Sequence, residues 1–154
     1  MPPIEQLPYI DDLSTIVDRD VGDVWPVVID TVERGFSGAA AARYSRLVGC
    51  EDTEASGPRP LAVGSAIPAF RVVSLVPQSE LVLRGRHHFS SYALILRVQP
   101  DRAGATCLSA ETRAAFPGVA GRAYRLLVIG TGGHVIAVQR LLSNVKRRSE
   151  RRTA

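Results

Sequence analysis

The chain has 154 residues, 45% hydrophobic and 22% charged, with a formal net charge of +4. Those totals fit one globular domain of ordinary composition and exclude a low-complexity or disordered polymer. The positive charge is an end effect: residues from Arg140 onward sum to +5, leaving the rest at −1. No aromatics interleave that run, so it reads as a helix C-terminus suited to the helix dipole rather than as a nucleic-acid surface.

The opening "MPPIEQLPYIDDL" lacks the basic start and apolar run of a secretory signal. No window is long and apolar enough for a membrane span. Cys50 and Cys107 stand apart without metal-ligand spacing. The expectations are a cytoplasmic protein with free thiols, no cofactor, no metal and no stable membrane insertion.

In chain order, Leu13 to Asp20 (LSTIVDRD) has the β-branched content of a strand. Asp20 or Asp23 can cap the helix that follows, in which Trp25, Val28, Ile29 and Val32 mark one buried face. Gly35 is suited to end it. A second short helix is predicted with Ser37 as its cap and Ala39–Ala42 inside. From Leu47 to Phe116 the period changes to two. Four strand patterns, AIPAFRVVSLV, SELVLRGRHHF, SYALILRVQ and GATCLSAETRAAF, are joined by short connections that imply antiparallel neighbours. In the last of them one face is Thr106, Leu108, Ala110, Thr112 and Ala114, mostly small.

The closing segment carries an apolar stripe at Tyr124, Val128, Thr131, Val135, Val138, Leu142 and Val145, with spacings alternating four and three. The stripe passes through Gly130, Gly132 and Gly133 without a change of phase, so one unbroken helix is predicted. The glycines lack both the G-x-G-x-x-G spacing and the lysine of a phosphate loop. Within a helix they cost about 1 kcal/mol each relative to alanine. Two causes fit: room beside the helix, where the small strand face leaves a hollow, or close approach of a neighbouring backbone, as in a homodimer without a cavity.

This order of elements resembles the SRPBCC superfamily, which groups START-like lipid-transfer domains with polyketide cyclases and dehydrases. VGDVWPVVID is similar to its first helix, ELVLRGRHHFSSYALILRVQP to its central hairpin, and GATCLSAETRAAFPGVAGRAYRLLV to its last strand and closing helix. The resemblance implies an α+β helix-grip fold: a curved antiparallel sheet around a long C-terminal helix, with two short helices after the first strand. Residues 1–148 then form a single domain and 149–154 a basic C-terminal tail. It also implies an apolar cavity between sheet and helix for a lipid or polyketide-like ligand, or in some members cyclisation or dehydration.

On that footing the strand residues His87, Tyr92, Leu94, Leu96, Ala110 and Thr112 are candidate ligand contacts. From the helix come Tyr124, Val128, Thr131, His134, Val135 and Val138. A histidine or tyrosine in an apolar pocket orients a carbonyl or exchanges a proton with it; each also serves a core by making one internal hydrogen bond. Arg84, Arg86, Glu111 and Arg113 belong on the outer face, where cross-strand ion pairs are the default, unless the register slips by one. No Ser-His-Asp order, metal cluster or catalytic carboxylate pair is defined, so no catalytic residue is assigned.

Overall fold

The computed structural model describes residues 3–152. Asp20 caps α1 (Val21–Phe36), its carboxylate accepting the Asp23 N–H at 3.0 Å and meeting one of the unpaired amides of the first turn. Val24, Trp25, Val28, Ile29 and Val32 are buried, as their three- and four-residue spacing requires. Helix α2 (Ala39–Val48) follows from Gly38 without a side-chain cap, so Ser37 does not serve in that role. It ends at Gly49 (φ +73), whose N–H reaches the Arg46 carbonyl at 3.2 Å.

Six antiparallel strands form one sheet in the order β1-β6-β5-β4-β3-β2. They are β1 (Tyr9–Val17), β2 (Ala66–Ile67), β3 (Phe70–Val76), β4 (Glu80–Arg86), β5 (Ser91–Pro100) and β6 (Thr106–Ala115). Strand β1 starts four residues before the β-branched run, through Asp11 and Asp12. The predicted small face of β6 is buried at all five positions and pairs with Val98, Leu96, Leu94 and Tyr92 of β5.

The closing segment is not one helix. It consists of α3 (Gly118–Arg125), a π-helical turn (Leu126–Gly130) and α4 (Gly133–Arg151), with a 50° bend between the first two and α4. Gly132 sits at the break with φ +76, a left-handed conformation that a Cβ disfavours. The apolar repeat hides the break because the wide π turn and the left-handed residue together restore the phase: Val138, Leu142 and Val145 are buried, and Tyr124 and Val128 half-buried. Only Thr131 is thrown out of the stripe, exposed and donating to the Leu127 carbonyl at 2.5 Å.

Under α4 the concave sheet face is filled. Val138, Leu142 and Val145 belong to one core with Leu81, Leu83, Leu94, Leu96, Leu108 and Ala110. The hollow expected along this seam is therefore replaced by side chains, the rule for protein interiors. Two hollows lie elsewhere: one of about 580 Å³ on the outer sheet face, and one of about 320 Å³ between the β1 edge and α4. The last turns of α4 are tied to the body. Arg148 bonds Asp30 and the Thr31 hydroxyl, Glu150 accepts the Asp18 N–H at 3.1 Å, and Ser149 is buried. The helix runs past residue 148, where a tail was expected to begin, and residues 153–154 of that tail lie outside the described residues.

On the outer face Arg97 joins Glu80 at 2.9 Å and Glu111 at 2.8 Å, while Arg113 reaches Glu111 at 2.5 Å and the Leu7 carbonyl at 3.2 Å. Glu111 and Arg113 thus lie on the outer face in ion pairs, as expected, although the centre of the network is Arg97, which the sequence does not single out, and Arg86 pairs with Glu51. The Arg97 hydrogen bond, outweighing burial and helped by Arg113, holds the Glu111 carboxyl below its ordinary value. A depressed folded-state pKa gives stability that is present above the unfolded value of 4.5 and lost as pH falls through the folded one. Glu111→Gln is expected to cost about 2 kcal/mol at neutral pH in urea unfolding and to reduce the loss of stability below pH ~4.5.

The break itself is tested by two glycines. Gly130, the last residue of the π turn, has no positive φ and its nearest neighbour lies at 3.8 Å, so Gly130→Ala is expected to stabilise by up to about 1 kcal/mol. Gly132→Ala is expected to destabilise by about 1 kcal/mol, because of its φ alone. An unbroken helix requires both to stabilise; urea midpoints distinguish the two cases.

Candidate functional site at the broken helix

The β4–β5 turn and α3 meet in an aromatic cluster at one end of the concave face. The His87 ring lies 4.8 Å from Tyr124 and 5.4 Å from Tyr92, and Phe89 stacks on Tyr124 at 5.3 Å. Tyr92 crosses Gly85, where a Cβ would come within 2.1 Å of the Ala69 carbonyl and 2.4 Å of the Tyr92 ring. Gly121 lets α3 rest on the turn: a Cβ there would meet the Phe116 carbonyl carbon at 2.7 Å and the Phe89 oxygen at 3.0 Å. The Tyr44 and Tyr124 hydroxyls are in contact and join α2 to α3.

Two predicted site residues, His87 and Tyr92, use their polar atoms within this cluster. His87 Nδ1 accepts the Phe89 N–H at 3.0 Å, so its proton sits on Nε2 and is donated to Ser90 Oγ at 3.1 Å. The Tyr92 hydroxyl donates to the Ala69 carbonyl at 2.6 Å, and burial pushes its pKa far above the ordinary tyrosine range. Burial, with His88 nearby, lowers the His87 pKa. Nitrogen-15 NMR is expected to show the Nε2–H tautomer at neutral pH, with protonation only below the ordinary 6.5. A midpoint at or above that value contradicts the assignment.

A second group of polar side chains meets under the helix break. Alternation along β1 puts Asp11, Leu13, Thr15 and Val17 on the concave face, and Asp11 stands directly opposite Thr112 of β6. His134, in the first turn of α4, brings Nε2 to 3.4 Å from Asp11 Oδ1, both side chains being largely buried. The Thr112 hydroxyl is buried and has no hydrogen-bond partner among the described residues. The α4 N-terminus has no side-chain cap. Among the described residues no three His, Cys, Asp or Glu side chains gather as a metal requires.

The twelve predicted site residues thus divide. Leu94, Leu96, Ala110 and Val138 are core. His87, Tyr92 and Tyr124 form the aromatic end. Thr112 and His134 belong to the polar group, with Val128 and Val135 half-buried near the break. Thr131 faces away. Asp11 escaped the sequence reading because the strand was started at Leu13; extending the inward alternation from Val17 through Thr15 and Leu13 by one step reaches it.

No protein-family model and no curated sequence matches the chain. Solved structures do. Norcoclaurine synthase from Thalictrum flavum, a point mutant in complex with a transition state analogue, matches with a TM-score of 0.56 at 11% identity over 97% of this chain and 100% of its own. CalU16 from Micromonospora echinospora matches with a TM-score of 0.54 at 16% identity, over 91% and 78%. This chain has the helix-grip fold. DynU16, a protein in the dynemicin biosynthetic locus, also matches, with a TM-score of 0.50 and 19% identity over 86% of this chain and 45% of its own. The resemblance to the SRPBCC group is thereby borne out at the level of fold. The helix-grip sheet is retained here with the gripped helix broken above the Asp11–Thr112 row.

Proposed function

We propose that this helix-grip chain binds an apolar small molecule bearing a carbonyl or hydroxyl group. Its place is the end of the concave face, beneath the α3–π segment. The supporting observation is the Thr112 hydroxyl, buried and without a partner among the described residues, beside the Asp11–His134 pair. Such a hydroxyl costs about 1–3 kcal/mol and is relieved by a ligand group that completes its hydrogen bond. Apolar burial, about 25 cal/mol per Å², supplies most of the affinity. Entry requires the α3–π segment to lift, and the left-handed Gly132 beside the π turn is where the chain turns most easily.

The Asp11–His134 contact favours a second reading, a cyclase or dehydratase. In that reading the Asp11 carboxylate orients the imidazole and stabilises its cation, while the ring takes a proton from carbon next to a ligand carbonyl. The fold's occurrence in a synthase solved with a transition state analogue is compatible with either reading.

Thr112→Val provides the test, combined with native mass spectrometry of the full chain purified from a polyketide- and lipid-containing lysate. Replacing an unpartnered hydroxyl by a methyl is expected to stabilise the empty protein by about 1 kcal/mol. The same change is expected to reduce the fraction carrying a retained apolar mass at least about fivefold, roughly one neutral hydrogen bond. Wild type emerging without any retained mass, or Thr112→Val retaining it equally, contradicts the proposal. Asp11→Asn and His134→Gln that keep the retained mass but abolish its conversion favour the enzyme.

A further inference from the structure

On the outside of the same helices, Val119, Arg122 and Ala123 of α3 and Leu126 of the π turn form one exposed stripe at three- and four-residue spacing. Val119 is 82% exposed, Leu126 72% and Leu127 66%, although their chemistry suits an interior. Helix α2, joined to α3 by the Tyr44–Tyr124 hydroxyl contact, also presents Arg43 and Leu47 outward, the latter 81% exposed. The inward sides of both helices are already used, by Ser45 and Val48 on α2 and Gly121 and Tyr124 on α3. These large apolar groups are therefore not displaced core residues.

Every charged side chain on these two helices and the π turn is an arginine, of which Arg46 is paired with Glu54 at 3.4 Å. No acidic residue occurs between Glu33 and Glu51 after Arg34, nor between Glu111 and Glu150. Arg43, Arg122 and Arg125 are exposed and have no carboxylate partner among the described residues. By contrast, in the basic C-terminal run Lys146 is paired with Glu150 of the same helix and Arg148 with Asp30 of α1. In the sequence the excess charge stands out only at that end, because the arginines of this face are scattered over two helices.

We propose that the exposed face of α2, α3 and the π turn docks on an anionic lipid surface. Apolar side chains enter the headgroup boundary, and the arginines pair with lipid phosphates and carboxylates. A lipid surface offers apolar depth and negative charge together, which is what this face complements. A second copy of the chain would set arginine against arginine, and a nucleic acid would leave Leu126, Leu127 and Leu47 in water. The contact is peripheral: α3–π and α4 together are long and apolar enough for a span as a bent pair, but α4 is committed to the core through Val138, Leu142 and Val145, leaving only the outer face of α3–π for a surface. The proposal does not depend on what the concave face binds.

Co-sedimentation of the full chain with vesicles tests it. Binding is expected to vesicles of phosphatidylcholine mixed with phosphatidylserine, to weaken on adding salt, and to be at least about tenfold weaker to phosphatidylcholine alone. Arg122→Glu/Arg125→Glu is expected to weaken binding to the mixed vesicles at least about tenfold. Leu126→Ser/Leu127→Ser is expected to do the same through lost apolar burial. Circular dichroism of both should remain that of wild type, since all four side chains are exposed. The proposal is overturned by vesicle binding that ignores phosphatidylserine, by no binding at all, or by a leucine variant that binds as well as wild type. Two other results overturn it in favour of a different partner: a concentration-dependent dimer abolished by the leucine changes, or RNA binding abolished by the arginine changes without vesicle binding.

Discussion

Burial of Val138, Leu142 and Val145 against the leucines of β4, β5 and β6 holds α4 on the concave sheet face, and the rest of the molecule is arranged by where that burial stops. It stops at Val138. Toward the C-terminus, Arg148 and Glu150 lock the helix to α1 and to the end of β1, so this half is fixed by packing and by charge-assisted hydrogen bonds. Toward the N-terminus lies Gly132, then the π turn and α3, whose hold on the body is an aromatic stack, a close backbone contact at Gly121 and a hydroxyl contact to α2. One segment of chain therefore has a rigid half and a weakly held half.

The weakly held half covers the aromatic end of the concave face, and the first turn of α4 reaches the adjoining polar row through His134. Beneath the middle of α4 the sheet offers leucine and alanine; at its first turn it offers Asp11 and Thr112, and farther on the aromatic cluster. A site is easier to open where few apolar contacts have to be broken, and functional segments are drawn from such regions. The outer face of the same segment carries apolar and cationic groups that the fold does not use. Its two sides thus present different chemistries within a single helical layer, one to the interior row and the other to whatever surface the protein meets.

Much of this was legible in the chain. The two-residue period placed the sheet and its inward face correctly, down to the small positions Ala110 and Ala114, because register is strongly specified where one face is buried. The α1 face and the Asp20 cap followed from spacing and chemistry. The helix break was not legible. A π turn followed by a left-handed glycine restores the apolar phase, so periodicity alone reads the same for bent and straight helices. Asp11 was hidden for a different reason: a carboxylate on an edge strand weakens the strand signal at the very position where it turns inward. The closed state of the α4 seam depends on how helix side chains of one element meet small strand residues of another, which no local pattern records.

Amide hydrogen exchange of the full chain tests the division of the closing segment most directly. Slow exchange is expected from Val138 to Ser149, where the helix is buried and anchored, and exchange at least about a hundredfold faster from Val119 to Val135, a local opening some 3 kcal/mol easier. Uniform slow exchange from Tyr124 through Val145 would mean a single continuous helix held along its whole length, and the hinge, the liftable cover and the site beneath it would all have to be abandoned.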